Sequence, residues 1–398
     1  MAELPIGHVV ILLLIACLAS LSMRWFKQPY ATVLVVTGLA VSFLKLVPNI
    51  QLSHDVAFFL LLPPILFHGS MNLSQENVRQ DWKPIAFLAV GGIVVSALLI
   101  GYPLSWAWHI PLIYALLFGA LISPTDPVSV LAIIKQLKAP SRLRTILEAE
   151  SLFNDGTGVV LFAVFLNMIQ RQEPLHLGWA LLQFLLVTAG GAAVGGFCAW
   201  AASRLIKPIE DPMLEVTLTV VLVLGTPLIA ESLHVSGIIA IVAAGLVMGK
   251  GRLSWMSAVT RQTVETFWEV IDFILNSIIF LIIGLELRFI GIDHLIAYKW
   301  PILAGILVVL VARAVIVYTV LYTYNLVLKN RVPFEWSHIL YWGGLRGTIP
   351  IILMLQLQSP RFPYTPLFLS ATFGIVLFSI IFQGMTIEGL LRKLKLYS

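Results

Sequence analysis

The sequence predicts an all-α polytopic membrane protein of about thirteen transmembrane helices, and three observations lead to that reading. Of 398 residues, 59% are hydrophobic and only 11% are charged. Soluble domains are roughly 45–50% apolar and about 25% charged, so this balance belongs to a chain dissolved in lipid. The mean hydropathy of +0.95 agrees. The apolar runs are long and continuous, not the alternating segments of about ten residues that mark an outer-membrane barrel.

A run of about 20 apolar residues crosses the hydrocarbon core as a helix. Such runs place the spans at 6–23, 30–47, 54–71, 84–104, 111–136, 146–170, 176–203, 213–231, 236–250, 264–287, 300–327, 336–356 and 364–390. The first is read as a span and not a cleaved signal, because Met1–Pro5 carries Glu3 and no basic residue. Two spans contain helix breakers. The fifth has Ser123-Pro124-Thr125-Asp126-Pro127, and the twelfth has Gly343-Gly344-Leu345-Arg346-Gly347-Thr348-Ile349-Pro350. Broken spans in matching positions of two halves point to the midplane site of a carrier. Unwound backbone is tolerated at that depth only against a cavity or inside protein. The breaks lie seven spans apart, an odd number, so the two broken spans run in opposite directions, as an inverted repeat requires. The seventh span holds Gly190-Gly191-Ala192-Ala193-Val194-Gly195-Gly196, a small-residue stripe for close helix packing, read as packing within one protomer. No soluble domain is expected.

Charge sets the orientation. With the N-terminus outside, 18 Lys and Arg fall on the inner side, among them Arg24, Lys27, Lys135, Arg144, Arg252, Lys329 and Arg331. Only Lys45, Arg171, Arg288, Lys299 and Arg361 fall outside. The positive-inside rule then gives N-out and C-in, and the net charge of +5 is loop charge rather than a sign of a nucleic-acid partner. Cys17 and Cys198 lie in apolar spans, so neither a disulfide framework nor a zinc site is expected. The eight histidines show no metal-ligand spacing, and no cofactor is expected.

Chemistry concentrates in the sixth span, at Glu150-Ser151-Leu152-Phe153-Asn154-Asp155. An ionisable group at bilayer depth costs roughly 3 kcal/mol and usually marks an ion or proton path. Spacings of three and four put Ser151, Asn154 and Asp155 on adjoining faces of about one helical turn. A carboxylate, a hydroxyl and a carbonyl at an unwound Thr125 are oxygen ligands for a hard monovalent cation. Asp155 and Asp126 are the charged candidates for holding the transported ion. A carboxylate there holds either a proton or a cation, and that competition couples their movements. Arg313, deep in the eleventh span, needs a counter-charge, and Glu150 is the natural one, because Asp155 must stay free. Arg346 is expected to offset the negative C-terminal end of a half-helix. Asp272, Asn276 and Glu286 share span ten as candidate pathway residues. Glu215, Glu231, Glu265 and Glu269 read as interfacial.

These residues, in this order, resemble the sodium/proton antiporters of the first monovalent cation:proton antiporter family, which includes NhaP-type proteins and the animal sodium/proton exchangers. The matching segments include Leu62-Pro63-Pro64, Thr125-Asp126-Pro127-Val128, Glu150 to Asp155, Ser236-Gly237-Ile238-Ile239-Ala240, Phe280 to Leu287, Arg313-Ala314 and Gly343 to Gly347. The resemblance implies an NhaA-like antiporter fold, a homodimer, and elevator-like movement of transport helices (about 84–170 and 300–390) against dimerisation helices (about 6–71 and 213–287). It implies that Asp155 binds the ion with Asn154 beside it, that Asp126 and Thr125 lie at the crossing of broken helices, that Ser151 is a ligand, and that Glu150 pairs with Arg313. The Asn154-Asp155 pair goes with electroneutral one-for-one exchange. The expected function is a secondary antiporter, not an enzyme, exchanging Na⁺ or Li⁺ for H⁺ across a bacterial inner membrane; the alternative is K⁺/H⁺ exchange on the same fold. An intramembrane aspartyl protease is disfavoured, since the sequence has no Gly-x-Gly-Asp pattern.

Two departures from the family stand out. His68 follows the Pro-Pro segment where a carboxylate is usual, so a third carboxylate near the ion path is expected to be missing. The cytosolic regulatory tail of many relatives is likewise expected to be missing.

Overall fold

The computed structural model describes residues 6–22, 29–43, 55–209, 211–290, 292–327, 332–358 and 362–396. Arg24, Lys27, Lys45, Lys329, Arg331 and Arg361, used above for orientation, lie outside these, as does the segment Met1–Pro5. Among the described residues the structure is helical with no strand; thirteen helical segments follow the apolar runs, and two short helices, Gln75–Gln80 and Ile292–Ala297, lie between them. They are α1 (Ile6–Ser22), α2 (Tyr30–Phe43), α3 (Val56–Asn72), α4 (Trp82–Trp108), α5a (Leu112–Ile122) with α5b (Val128–Gln136), α6 (Ser141–Gln170) and α7 (Leu177–Ile206). Then come α8 (Pro212–Ser232), α9 (Gly237–Trp255), α10 (Ala258–Ile290), α11 (Lys299–Val327), α12a (Phe334–Trp342) with α12b (Thr348–Gln356), and α13 (Thr365–Lys393). Seven of them are long and apolar enough to cross a membrane unaided; the others are shorter or broken.

Local chemistry accounts for the ends. The Asp211 carboxylate accepts from the backbone N–H groups of Met213 and Leu214 at the start of α8, with Pro212 in the first turn. Ser236 caps α9 by accepting from Ile239 N at 3.2 Å. These are the donors a helix start leaves without intrahelical partners. Both breaks occur where the sequence offers Pro or Gly, and α5 and α12 resume one short non-helical stretch later. Three π-helical turns, Val56–Leu61 in α3, Phe87–Gly91 in α4 and Phe378–Gln383 in α13, interrupt the regular α-helical pattern.

The helices pack in two groups. α1–α3 lie chiefly against α8–α10, and α4–α6 lie against α11–α13, while α7 rests on α9 and α8. Small residues set the closest approaches. A Cβ on Gly38 of α2 would strike the backbone at Leu281 and Gly284 of α10. In the glycine stripe of α7, a Cβ on Gly195 would fall on the backbone of Ala240 in α9, whereas one on Gly196 would meet nothing within 4 Å. The stripe therefore packs within the chain.

This contrast makes a direct test. Gly195→Ala should lower thermal stability in detergent by about 1–3 kcal/mol, the usual cost of an overpacked contact. Gly196→Ala, one position on, should leave stability unchanged or raise it by up to about 1 kcal/mol through helix propensity. Equal behaviour of the two variants in a thermal-shift assay would contradict the packing.

Candidate functional site

The two breaks meet at the centre of the structure. Asp126 N donates to Leu345 O at 2.7 Å, which ties the unwound segment of α5 to that of α12. The Asp126 carboxylate accepts from Val128 N at 3.0 Å and lies beside the backbone of Thr348. It therefore faces the positive N-terminal ends of both α5b and α12b. A Cβ on Gly347 would collide with that carboxylate, so glycine is needed for the approach.

The opposite, carbonyl-bearing half-helix ends have arginine partners. The Arg346 guanidinium donates to Ser123 O and, at 3.2 Å, to Pro124 O, at the C-terminal end of α5a. Its backbone N–H donates to Ser379 Oγ of α13 at 2.8 Å. Arg313 donates to Leu340 O of α12a at 2.8 Å. The same guanidinium holds Glu150 in a two-pronged ion pair: Nη1 to Oε1, and Nη2 to Oε2 at 2.9 Å. Glu150 is 1% exposed and Arg313 7%. The role of Arg313 toward α12a was not read from the sequence; the break sequence signals an exposed carbonyl end but not which side chain reaches it.

Asn154 and Ser151 clasp the unwound Thr125. Asn154 Oδ1 accepts from Thr125 N at 3.2 Å, and Asn154 Nδ2 donates to Thr125 Oγ1 at 2.7 Å. The Ser151 hydroxyl donates to Thr125 O. One turn further along α6, Thr157 donates to Ala89 O at 2.6 Å in the π turn of α4, a contact the sequence did not signal. Asp155 is different from its neighbours. Its Oδ1 is buried and has no hydrogen-bond partner among the described residues.

Asp155, Ser151 and Asp126 line a cavity of about 470 Å³. Its other walls carry His68 and Asn72 of α3, Lys135 of α5b, Arg144 and Glu148 of α6, Arg252 of α9, Glu265, Glu269, Asp272 and Asn276 of α10, and Thr348 of α12b. The cavity runs along the N-terminal half of α6 and the C-terminal half of α3. A second depression, of about 610 Å³, lies at the other ends of the same helices, lined by Val159, Ala163 and Asn167 of α6, Arg171 just past its end, and Phe58 of α3, with Glu231 and His234.

Two expectations are corrected here and a third is extended. The cavity does not lack a further carboxylate: α10 brings Asp272 Oδ2 to 3.6 Å from His68 Nδ1. Glu265 and Glu269, exposed near the start of α10, also line the cavity; with Asp272 and Asn276 they repeat every three or four residues, so one face of α10 presents all four to it. Glu215 is 1% exposed and accepts from Thr260 Oγ1 at 3.0 Å. Glu286, by contrast, leaves the cavity. It lies ten residues beyond Asn276, roughly 15 Å further along the helix, in a small apolar pocket with Ile279, Ile283, Ile351 and Ile352.

Crossed broken helices, compensated end charges and an unpartnered carboxylate at the bottom of a polar cavity define a multi-pass membrane carrier. The family described as "Sodium/hydrogen exchanger, transmembrane" matches residues 10–393, and the chain belongs to it. The Na⁺/H⁺ antiporter NhaP of Pseudomonas aeruginosa is 39% identical over 85% of this chain and 81% of its own length. ApNhaP of Aphanothece halophytica, also named a Na⁺/H⁺ antiporter, is 34% identical over 96% of this chain and 73% of its own. In fold, the chain resembles the sodium proton antiporter MjNhaP1 of Methanocaldococcus jannaschii, with a TM-score of 0.80, 20% identity and 98% of each chain covered.

The Glu150–Arg313 pair yields a stability prediction. Glu150→Ala or Arg313→Ala leaves a buried charge alone and should cost about 3–5 kcal/mol, seen as lost expression or a lower melting temperature. Replacing both by apolar residues should recover part of that loss, although Leu340 O then loses a donor. Single variants as stable as the parent would remove the pair from the structural framework.

Proposed function

We propose that the chain is a secondary active antiporter that exchanges Na⁺, or Li⁺, for H⁺ in a one-for-one, electroneutral cycle. The observation that carries this reading is Asp155 Oδ1, buried and unpartnered at the bottom of the cavity, in a chain of the sodium/hydrogen exchanger family. Every other buried charge at the crossing has a partner. Glu150 is neutralised by Arg313, and Asp126 faces two helix N-termini. Asp155 is left to take a single positive charge, either a proton or a cation. Ser151 Oγ spends its proton on Thr125 O and keeps its lone pairs for a cation. Asp126 adds the second carboxylate, and the loaded site carries the same charge with either ion. The Na⁺/H⁺ exchange stated in the names of the relatives supports this assignment.

The cavity mouth carries Lys135, Arg144 and Arg252. Under the positive-inside rule that side reads as cytoplasmic, which supports an inward-facing state with the N-terminus outside; the proposed setting is a bacterial inner membrane. The two packing groups support a division into a transport unit (α4–α6 and α11–α13) and a dimerisation unit (α1–α3 and α8–α10) of a homodimer, with the cavity between them. No cofactor enters the cycle; the partners are the two ions, the lipid bilayer and the second protomer.

Proton flux in proteoliposomes, followed with a pH-sensitive dye and started with Na⁺, Li⁺ or K⁺ separately, tests the reading. Asp155→Asn and Asp155→Ala should abolish cation-coupled flux in a protein that still purifies as a folded species, and Asp126→Asn should be nearly as damaging. Retained flux in Asp155→Ala would overturn the assignment. Sidedness has its own check. With Cys17 and Cys198 replaced by Ser, a cysteine at Ala132 should react with a charged thiol reagent from the cytoplasmic side, and one at Ala163 from the outer side. The reverse pattern would invert the topology.

A further inference from the structure

The α10 wall of the cavity holds a carboxylate that its protein neighbours leave incompletely hydrogen-bonded. Asp272 of α10 accepts one hydrogen bond, from Asn276 Nδ2 at 2.9 Å on its own helix. Its second oxygen faces His68 Nδ1 across 3.6 Å, beyond hydrogen-bond reach. Its side chain is 27% exposed, and that exposure is to the cavity that ends at Asp155 and Asp126. A carboxylate that only fastened α10 to its neighbours would be saturated by donors from them, as Asp81 is by the two nitrogens of Arg142, each at 2.7 Å. Asp272 instead keeps one oxygen open toward the path a cation must take to reach the unpartnered Asp155 Oδ1.

We propose that Asp272 is an affinity-determining residue of the inner entry path: with Asn276 holding it in place, it takes the arriving monovalent cation on the α10 wall before Asp155 and Asp126 receive it. This deepens the exchange reading and rests on it. The chemistry is that of a hard cation shedding water in steps. An open carboxylate oxygen and the Asn276 side-chain oxygen replace part of the hydration shell while the rest of the cavity stays wet. Glu269 and Glu265, one and two turns back on the same face, lead toward the cavity mouth. A cavity lined by more carboxylates than cations concentrates counter-ions. Asp272 acts on arrival and not on the coupling step, so its loss weakens apparent affinity and spares the maximal rate.

The test measures Na⁺-dependent proton flux in proteoliposomes across Na⁺ concentration. The parent protein must show exchange first; no flux in the parent would sink the exchange reading itself. Given that, Asp272→Asn should raise the apparent KM for Na⁺ about fivefold, equivalent to about 1 kcal/mol of lost attraction, with the maximal rate within about twofold. Asp272→Glu should restore most of the affinity. The decisive variant moves the charge across the gap: His68→Asp combined with Asp272→Asn returns a carboxylate to the same stretch of cavity and should bring KM back toward the parent value. An unchanged KM in Asp272→Asn overturns the proposal. So does a loss of maximal rate and melting temperature that the relocated carboxylate fails to rescue, which would make Asp272 a structural residue.

Discussion

Two helices broken inside an apolar medium create the constraint on which the rest of this structure depends. Each break strands carbonyl groups at one half-helix end and N–H groups at the other, at a depth where no lipid can satisfy them. The chain solves the carbonyl side with arginine and the N–H side with aspartate. Arg346, from the break in α12, serves the end of α5a, and Arg313, from α11, serves the end of α12a. Asp126 sits where the positive ends of α5b and α12b converge. Each break is thus stabilised by a residue from outside its own helix, which locks α5, α11 and α12 into one unit.

That arrangement also assigns the buried charges. Arg313 would carry an unbalanced charge without Glu150, and Glu150 would be a competing cation ligand without Arg313. Joined, they are neutral and present no free oxygen to the cavity. Asn154, beside them, is spent on Thr125 through both ends of its amide. An amide suits this task because it donates and accepts at once; an ionised aspartate only accepts and could not donate to Thr125 Oγ1. What remains unspent is Asp155. Its free oxygen is the remainder after every neighbour has been satisfied, which is the physical sense in which α6 singles it out.

How much of this was legible in the sequence follows from how local each feature is. The spans were legible because a run of apolar residues long enough to cross lipid needs no partner to be recognised. The breaks were legible because Pro124, Pro127 and the glycines from Gly343 to Gly347 act on their own backbone. The Glu150–Arg313 pair was open to reasoning because few buried charges are available to balance one another. The α10 wall was not. Glu265 and Glu269 were judged by their distance along the chain from a span end, while the property that matters is their angular register with Asp272. That register exists in the sequence as spacings of four and three, but only the packing of α3 on α10 says which face looks inward. The same packing supplies the carboxylate that His68 seemed to remove. The α3 position gives only half of that site, and a single residue read in isolation could not reveal the other half.

The two depressions show how small the step in the proposed exchange is. On α6 the inner cavity ends at Asp155 and the outer depression begins at Val159. On α3 the inner cavity ends at Leu62 and the outer one begins at Phe58. Four residues of helix rise about 6 Å, so two helices give the same thickness for the layer that separates the two sides. Neither helix carries a charged residue within the layer, and Gly156 of α6 packs so closely on Ile239 of α9 that a Cβ there would collide with that side chain. The Ile239 side chain thus seats in the notch that Gly156 leaves, which brings α6 close against α9. Transferring the Asp155 carboxylate from one side of a one-turn barrier to the other requires a displacement of about a turn of helix. In the proposed cycle the arginine-braced crossing makes that movement as a body, carrying the ion with it.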